Sequence, residues 1–139
     1  MNKAVKVLMF VWREKEERKE FFVLHRKRGD IVVLTGHVGD IVAGESLEQA
    51  VEREIKEELG VKPKSVVNLG MAIEVVIEEK NLISREHAFL VEISNNKEVK
   101  FLEADEKHAW YSLEDLSKVL TYPNQKQPLD KIKEILKKK

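Results

Sequence analysis

The sequence predicts a single α/β domain built on a mixed sheet. Three observations carry this: apolar stretches of strand length in both halves of the chain, one helix marked at both ends near its middle, and helical spacing towards the C-terminus. At 139 residues with 42% apolar content the chain can bury one core of its own. No repeat, low-complexity tract or linker divides it, so one domain over residues 1–139 is expected.

Lys3 to Trp12 and Glu20 to Arg26 read as strands, and the charged stretch Arg13 to Lys19 between them suggests a long-looped hairpin. Ile31 to Leu34 is a third apolar stretch, followed by a Gly-punctuated loop from Thr35 to Gly44. Ser46 is placed to cap a helix through Leu59, because Gln49 stands three residues on and Gly60 lies where the helix should stop. Ser65 to Glu78 and Glu86 to Ile93 are rich in Val, Ile, Ala and Phe and read as strands, with a turn at Asn95 and Asn96. Leu113 to Leu120 and Leu129 to Lys138 have helical spacing, and Pro123 and Pro128 break the chain between them.

Lys and Arg number 25, as do Asp and Glu, so the charge balance gives no sign of a partner such as a nucleic-acid polymer or a membrane surface. The absence of cysteine excludes a disulfide framework, a zinc-thiolate site and a cysteine nucleophile, leaving oxygen ligands. No apolar run approaches the roughly 20 residues that span a bilayer, so a cytoplasmic protein is expected. Charged residues reach 36%, with Lys and Glu dominant, a composition that suits a heat-stable surface as well as an ordinary helical one.

On a helical wheel of about 100° per residue, Leu47, Val51, Ile55 and Leu59 form one buried arc, with Glu54 and Glu58 at its edge. Gln49 and Lys56 fall on the solvated side. Glu54, Glu57 and Glu58 crowd together at i, i+3, i+4, where they repel one another and partial burial would raise their pKa values unless a cation compensates. Magnesium suits such a cluster, since it takes a few carboxylates jointly with substrate phosphates. An isolated E-x-x-E-E string is more often a solvated acidic face, so the surrounding residues must decide.

From Gly39 to Val61 the chain reads GDIVAGESLEQAVEREIKEELGV. This resembles the complete Nudix box, G-x5-E-x7-R-E-U-x-E-E-x-G-U with U aliphatic. Gly39, Glu45, Arg53, Glu54, Ile55, Glu57, Glu58, Gly60 and Val61 fill every fixed position. The resemblance implies an α/β/α sandwich with a mixed sheet between helices, and magnesium-dependent hydrolysis of a phosphoanhydride bond, with Mn2+ able to substitute. By position, Glu54, Glu57 and Glu58 would hold metal. Gly39 would offer a backbone carbonyl or a close loop approach, and Glu45 with Arg53 would brace the loop against the helix. Arg53 belongs to the catalytic set in this indirect sense. A further acid is expected before the last strand–helix unit, where Glu103 and Glu106 precede Trp110; Glu106 is the candidate.

Many family members carry Pro-Gly-Gly before the box, whereas this chain has LTGHVGD, closer to members that cleave nucleoside triphosphates or dihydroneopterin triphosphate. His37 in that loop and Arg26 at the end of the second strand are candidate phosphate contacts, with Arg28 a weaker one. The segment TYPNQKQPL resembles one that brings an Asn to a base edge, so Asn124 and Tyr122 are candidate base contacts; a turn with a helix cap around Pro123 is the alternative. A similar T-Y-x-N stretch occurs in dinucleoside tetraphosphate hydrolases.

The expected partner is therefore a small nucleoside polyphosphate, with homodimerisation left open. A nucleoside triphosphate pyrophosphohydrolase is the first expectation and asymmetric cleavage of diadenosine tetraphosphate the second. A non-catalytic nucleotide-sensing module is the alternative of another class, although such modules commonly lose box acids that are all present here. An isopentenyl diphosphate isomerase is disfavoured, because its chemistry uses cysteine.

Overall fold

A computed structural model describes residues 1–39, 43–95, 99 and 106–138. The elements are β1 (Asn2–Lys15), β2 (Arg18–His25), β3 (Ile31–Val32), β4 (Leu34–His37), α1 (Leu47–Leu59), β5 (Ser65–Ile77), β6 (Leu82–Glu92), β7 (Lys107–Tyr111), α2 (Leu113–Val119), α3 (Pro123–Lys126) and α4 (Leu129–Lys137). The strands form one sheet in the order β3-β2-β1-β6-β5, with β4 also pairing β1 and β7 pairing β2. β1 runs parallel to β6, and the other pairs are antiparallel, so the sheet is mixed.

β1 shows how the layers arise. Six consecutive residues, Val7 to Trp12, are buried, and the two-residue period of a strand deals them to opposite faces. Val7, Met9 and Val11 join Val51, Ile55 and Leu59 of α1 in one core cluster. Leu8, Phe10 and Trp12 join Leu116 of α2 and Leu129, Ile132 and Leu136 of α4 in the other. A strand buried on both faces needs a cover on each, and this gives the α/β/α sandwich that the resemblance implied.

α1 forms as its local signals dictate. The Ser46 side chain accepts from the Gln49 N–H, the Gln49 side chain accepts from the Ser46 N–H, and Gly60 closes the helix at φ 69°. Leu47 is only half-buried; Ala50 and Glu54 are buried beside Val51, Ile55 and Leu59.

Elsewhere the structure corrects the sequence reading. The first hairpin has no long loop: Lys15 pairs Arg18 across a two-residue turn, with Glu16 and Glu17 at φ 53° and 64°. Such a turn normally carries Gly or Asn, and two glutamates hide it. The stretch Ile31 to Leu34 is not one element: β3 ends at Val32, and Leu34 begins β4, in which Leu34, Thr35, Gly36 and His37 pair with Met9, Leu8, Val7 and Lys6. β6 begins at Leu82, four residues before the expected Glu86, because Leu82 to Arg85 pair with both β1 and β5. Between the two prolines, Pro123 starts a short helical turn, as its fixed φ allows. Asn96 and Glu103 lie outside the described residues. Among the described residues, no helix is long and apolar enough to cross a membrane.

Candidate active site

Arg53 organises the acidic helix. Its Nε donates to Glu45 Oε2 at 2.7 Å, and Nη2 donates to Glu45 Oε1 at 3.0 Å and to the His37 carbonyl at 2.9 Å. Nη1 donates to Glu54 Oε1 at 2.9 Å and to Glu57 Oε2 at 3.3 Å. All five guanidinium N–H groups are thus engaged, a geometry that a lysine ammonium cannot reproduce. Glu45 also accepts from the Gly39 N–H at 3.3 Å, so one ion pair ties the loop end, β4 and α1 together. The hydrogen bonds from Arg53 hold the Glu45 carboxyl below the usual carboxylate range, against the effect of burial.

Glu54 is buried against Gly36 of β4, whose missing side chain leaves room for it. Burial pushes its pKa up, and Arg53 only partly offsets that. Glu57 is largely exposed, and Glu58 is half-buried.

Glu58, Arg26 and Glu106 come together on the wall of one cavity of about 200 Å3, with Leu24, Val33 and Thr35 among its other lining residues. Arg26 Nε lies 3.9 Å from Glu106 Oε1 and its Nη1 lies 3.6 Å from Asp30 Oδ2. A larger hollow of about 640 Å3 runs along the other side of α1, against Gln49, Glu52, Lys56 and Lys62. It reaches the network through Glu45 and Arg53 but contains none of Glu54, Glu57 and Glu58, so the smaller cavity is the better match to phosphate chemistry.

Tyr122 and Asn124 are half-buried at the start of α3. The Tyr122 ring packs against the α1-side core and its hydroxyl donates to Asp30 Oδ2 at 2.7 Å. Thr121 exchanges hydrogen bonds with Ile31, through its N–H to the Ile31 carbonyl at 3.0 Å and its Oγ1 from the Ile31 N–H at 2.7 Å. Gln125, buried, accepts from the Val33 N–H at 3.0 Å. The TYPNQ segment is thereby clasped to the strand edge that lines the cavity. His37 enters the network through its backbone carbonyl.

Sequence reasoning missed Asp30, Gly36, Thr121 and Gln125. Gly36 carried a usable signal, since a glycine in a strand marks a close approach. Asp30 looked like an ordinary turn residue.

As a metal site, the three box acids offer hard carboxylate oxygens, the donor type magnesium prefers. Glu45, Glu54 and Glu57 share one guanidinium, which leaves local negative charge uncompensated, and Glu54 is desolvated as well. The donor chemistry therefore fits a divalent cation. Among the described residues no three acidic or histidine side chains meet at one point, because two of the box acids are turned to Arg53.

The family model described as NUDIX domain matches residues 2–132. The chain belongs to the Nudix family, and it is a hydrolase of phosphorus-containing acid anhydrides whose substrates fall in the nucleoside diphosphate-linked class. A search of curated proteins finds no match. Among solved structures, a C. elegans Ap4A hydrolase binary complex superposes with a TM-score of 0.79 at 20% identity, covering 98% of this chain and 99% of that one. The NUDIX domain of Shewanella oneidensis NrtR complexed with ADP ribose gives 0.75 at 18% identity, covering 98% and 90%. The E. coli dihydroneopterin triphosphate pyrophosphohydrolase gives 0.71 at 14% identity, covering 94% and 97%. At these identities the likeness is one of fold.

Proposed function

We propose that this protein hydrolyses a nucleoside triphosphate to the monophosphate and pyrophosphate in a magnesium-dependent reaction. The observation that carries the reading is the cavity where Glu58, Arg26 and Glu106 meet, an acid–cation–acid wall beside the Glu54–Arg53 network. Metal would be held by the carboxylates of Glu54, Glu57 and Glu58, with Gly39 at the loop end. When bound, magnesium, or manganese in its place, supplies phosphate charge neutralisation and an acidified water.

The residues of the chain have separate tasks in this scheme. Arg26 binds a phosphate oxygen, and His37, near the start of the loop, is a second phosphate contact. Glu58 or Glu106 takes the proton from the attacking water, as general base. Arg53 and Glu45 keep the loop and α1 in register. Tyr122 and Asn124 receive the base at the clasped TYPNQ segment.

Asymmetric cleavage of diadenosine tetraphosphate is the second reading. It is supported by that same Thr121–Asn124 segment beside the cavity and by the full-length superposition on the C. elegans Ap4A hydrolase. A product assay with and without magnesium, across nucleoside triphosphates, dihydroneopterin triphosphate, diadenosine tetraphosphate and nucleoside diphosphate sugars, separates the two. Pyrophosphate from a triphosphate is the expected result. ATP plus AMP from the dinucleotide would replace it with the second reading, and no turnover on any of these substrates would sink both.

A further inference from the structure

We propose that Asp30 is a positioning residue whose charge fixes Arg26 on the cavity's edge, so that substrate phosphate meets an arginine already in place. The inference deepens the hydrolase reading and rests on it.

The turn that carries Asp30 is closed by its own backbone. The Arg26 N–H donates to the Asp30 carbonyl at 2.9 Å and the Gly29 N–H donates to the Arg26 carbonyl at 2.9 Å, with Gly29 at φ 102°. Residues 26, 28 and 30 are brought together at one end of the sheet. The Asp30 side chain is only 7% exposed, yet four donor groups converge on it. Tyr122 Oη donates at 2.7 Å, Arg28 Nε lies 3.3 Å from both oxygens, Arg28 Nη2 lies 3.2 Å from Oδ2 and Arg26 Nη1 lies 3.6 Å from Oδ2.

A carboxylate so deeply buried is costly unless donors surround it. Burial pushes the Asp30 carboxyl up, but Tyr122, Arg28 and Arg26 outweigh it and hold the group below the ordinary range, so it is charged at neutral pH. The charge acts on Arg26 from one side while Glu106 acts from the other, which suspends the guanidinium between two acids at the cavity wall. A long side chain held in this way loses less freedom when it meets a phosphate. The same carboxylate anchors the Tyr122 hydroxyl, so one acid links the phosphate edge to the TYPNQ segment.

The test is a mutant cycle on turnover of the substrate found in the product assay, with Asp30→Asn, Arg26→Ala and the double variant. Asp30→Asn is expected to raise KM about ten-fold with kcat within about two-fold, because the lost interaction positions substrate rather than the transition state. In the Arg26→Ala background the same change should raise KM by less than about two-fold, since the amide oxygen can still accept from the Tyr122 hydroxyl and the lost charge acts on Arg26. An unchanged KM in Asp30→Asn, or a full ten-fold effect that persists without Arg26, overturns the proposal. Should Asp30→Asn not fold, Asp30→Glu keeps the charge and moves it by one methylene. It is expected to raise KM about three-fold with Arg26 present and not without it, and an effect independent of Arg26 would overturn the proposal equally. A wild-type enzyme silent on every substrate tried would instead remove the proposed triphosphate reading, a result distinct from either.

Discussion

A β-carbon on Gly36 would lie 2.4 Å from both Cγ and Cδ of Glu54 and 2.8 Å from its Oε1. The glycine and the glutamate therefore occupy one volume between β4 and α1. Gly36→Ala should displace the Glu54 carboxylate, lower kcat at least about ten-fold and cost about 1–3 kcal/mol of stability as overpacking does. Steady-state kinetics and thermal unfolding check both; full activity would mean Glu54 has no role at its present position.

Arg53→Lys keeps the charge and loses the fork. The Glu45 side chain, 3% exposed, would lose its paired hydrogen bonds, and the His37 carbonyl would lose a donor. We expect the unfolding midpoint to fall by about 5 °C or more, with activity falling alongside it. Differential scanning calorimetry of both proteins decides; an unchanged midpoint would reduce the network to surface decoration.

Glu58→Gln is close to isosteric, and the residue stands on the cavity wall rather than in the core. Turnover should drop about 100-fold or more at saturating magnesium while the circular dichroism spectrum and unfolding midpoint stay near wild type. Near-normal turnover would sink its assignment to the metal and the chemistry.

Glu86 supplies a pH prediction remote from the acids of α1. It is buried on β6, accepts from the Ser84 hydroxyl at 3.2 Å, and burial pushes its carboxyl up although Lys6 and Ser84 pull it down. The folded protein thus holds this proton more tightly than the unfolded chain does. Its contribution to stability is complete below the ordinary Glu value of about 4.3 and is lost as pH rises through the raised folded value. Glu86→Gln should remove that loss, so the variant gains on wild type as pH rises from about 4 to neutrality. Parallel urea titrations across this range would contradict the idea if the gap between the two proteins stayed constant.

Legibility in the sequence followed the range of the interactions. α1 could be read to the residue because Ser46, Gln49 and Gly60 act within a turn of the helix ends. The three box acids were legible through their spacing, but not their orientation, since that is set by Arg53 choosing Glu54 and Glu57. β4 was hidden by Thr-Gly-His, a string that looks like loop until Glu54 is known to need the space. The partnerships of Asp30 with Tyr122 and of Val33 with Gln125 each span 92 residues and leave no local trace.

The double burial of β1 also bears on how the chain reaches this structure. Every residue from Asn2 to Trp12 has its parallel partner eighty positions later, in β6. A ribosome would therefore release β1, buried on both faces, well before its long neighbour, with only β2, β4 and α1 to shield it meanwhile. Parallel pairing across so long a loop is slow to form and leaves a hydrophobic edge open while it waits. Joining β1 to β6 closes that edge, and the cover that α2 and α4 give to Leu8, Phe10 and Trp12 comes later still.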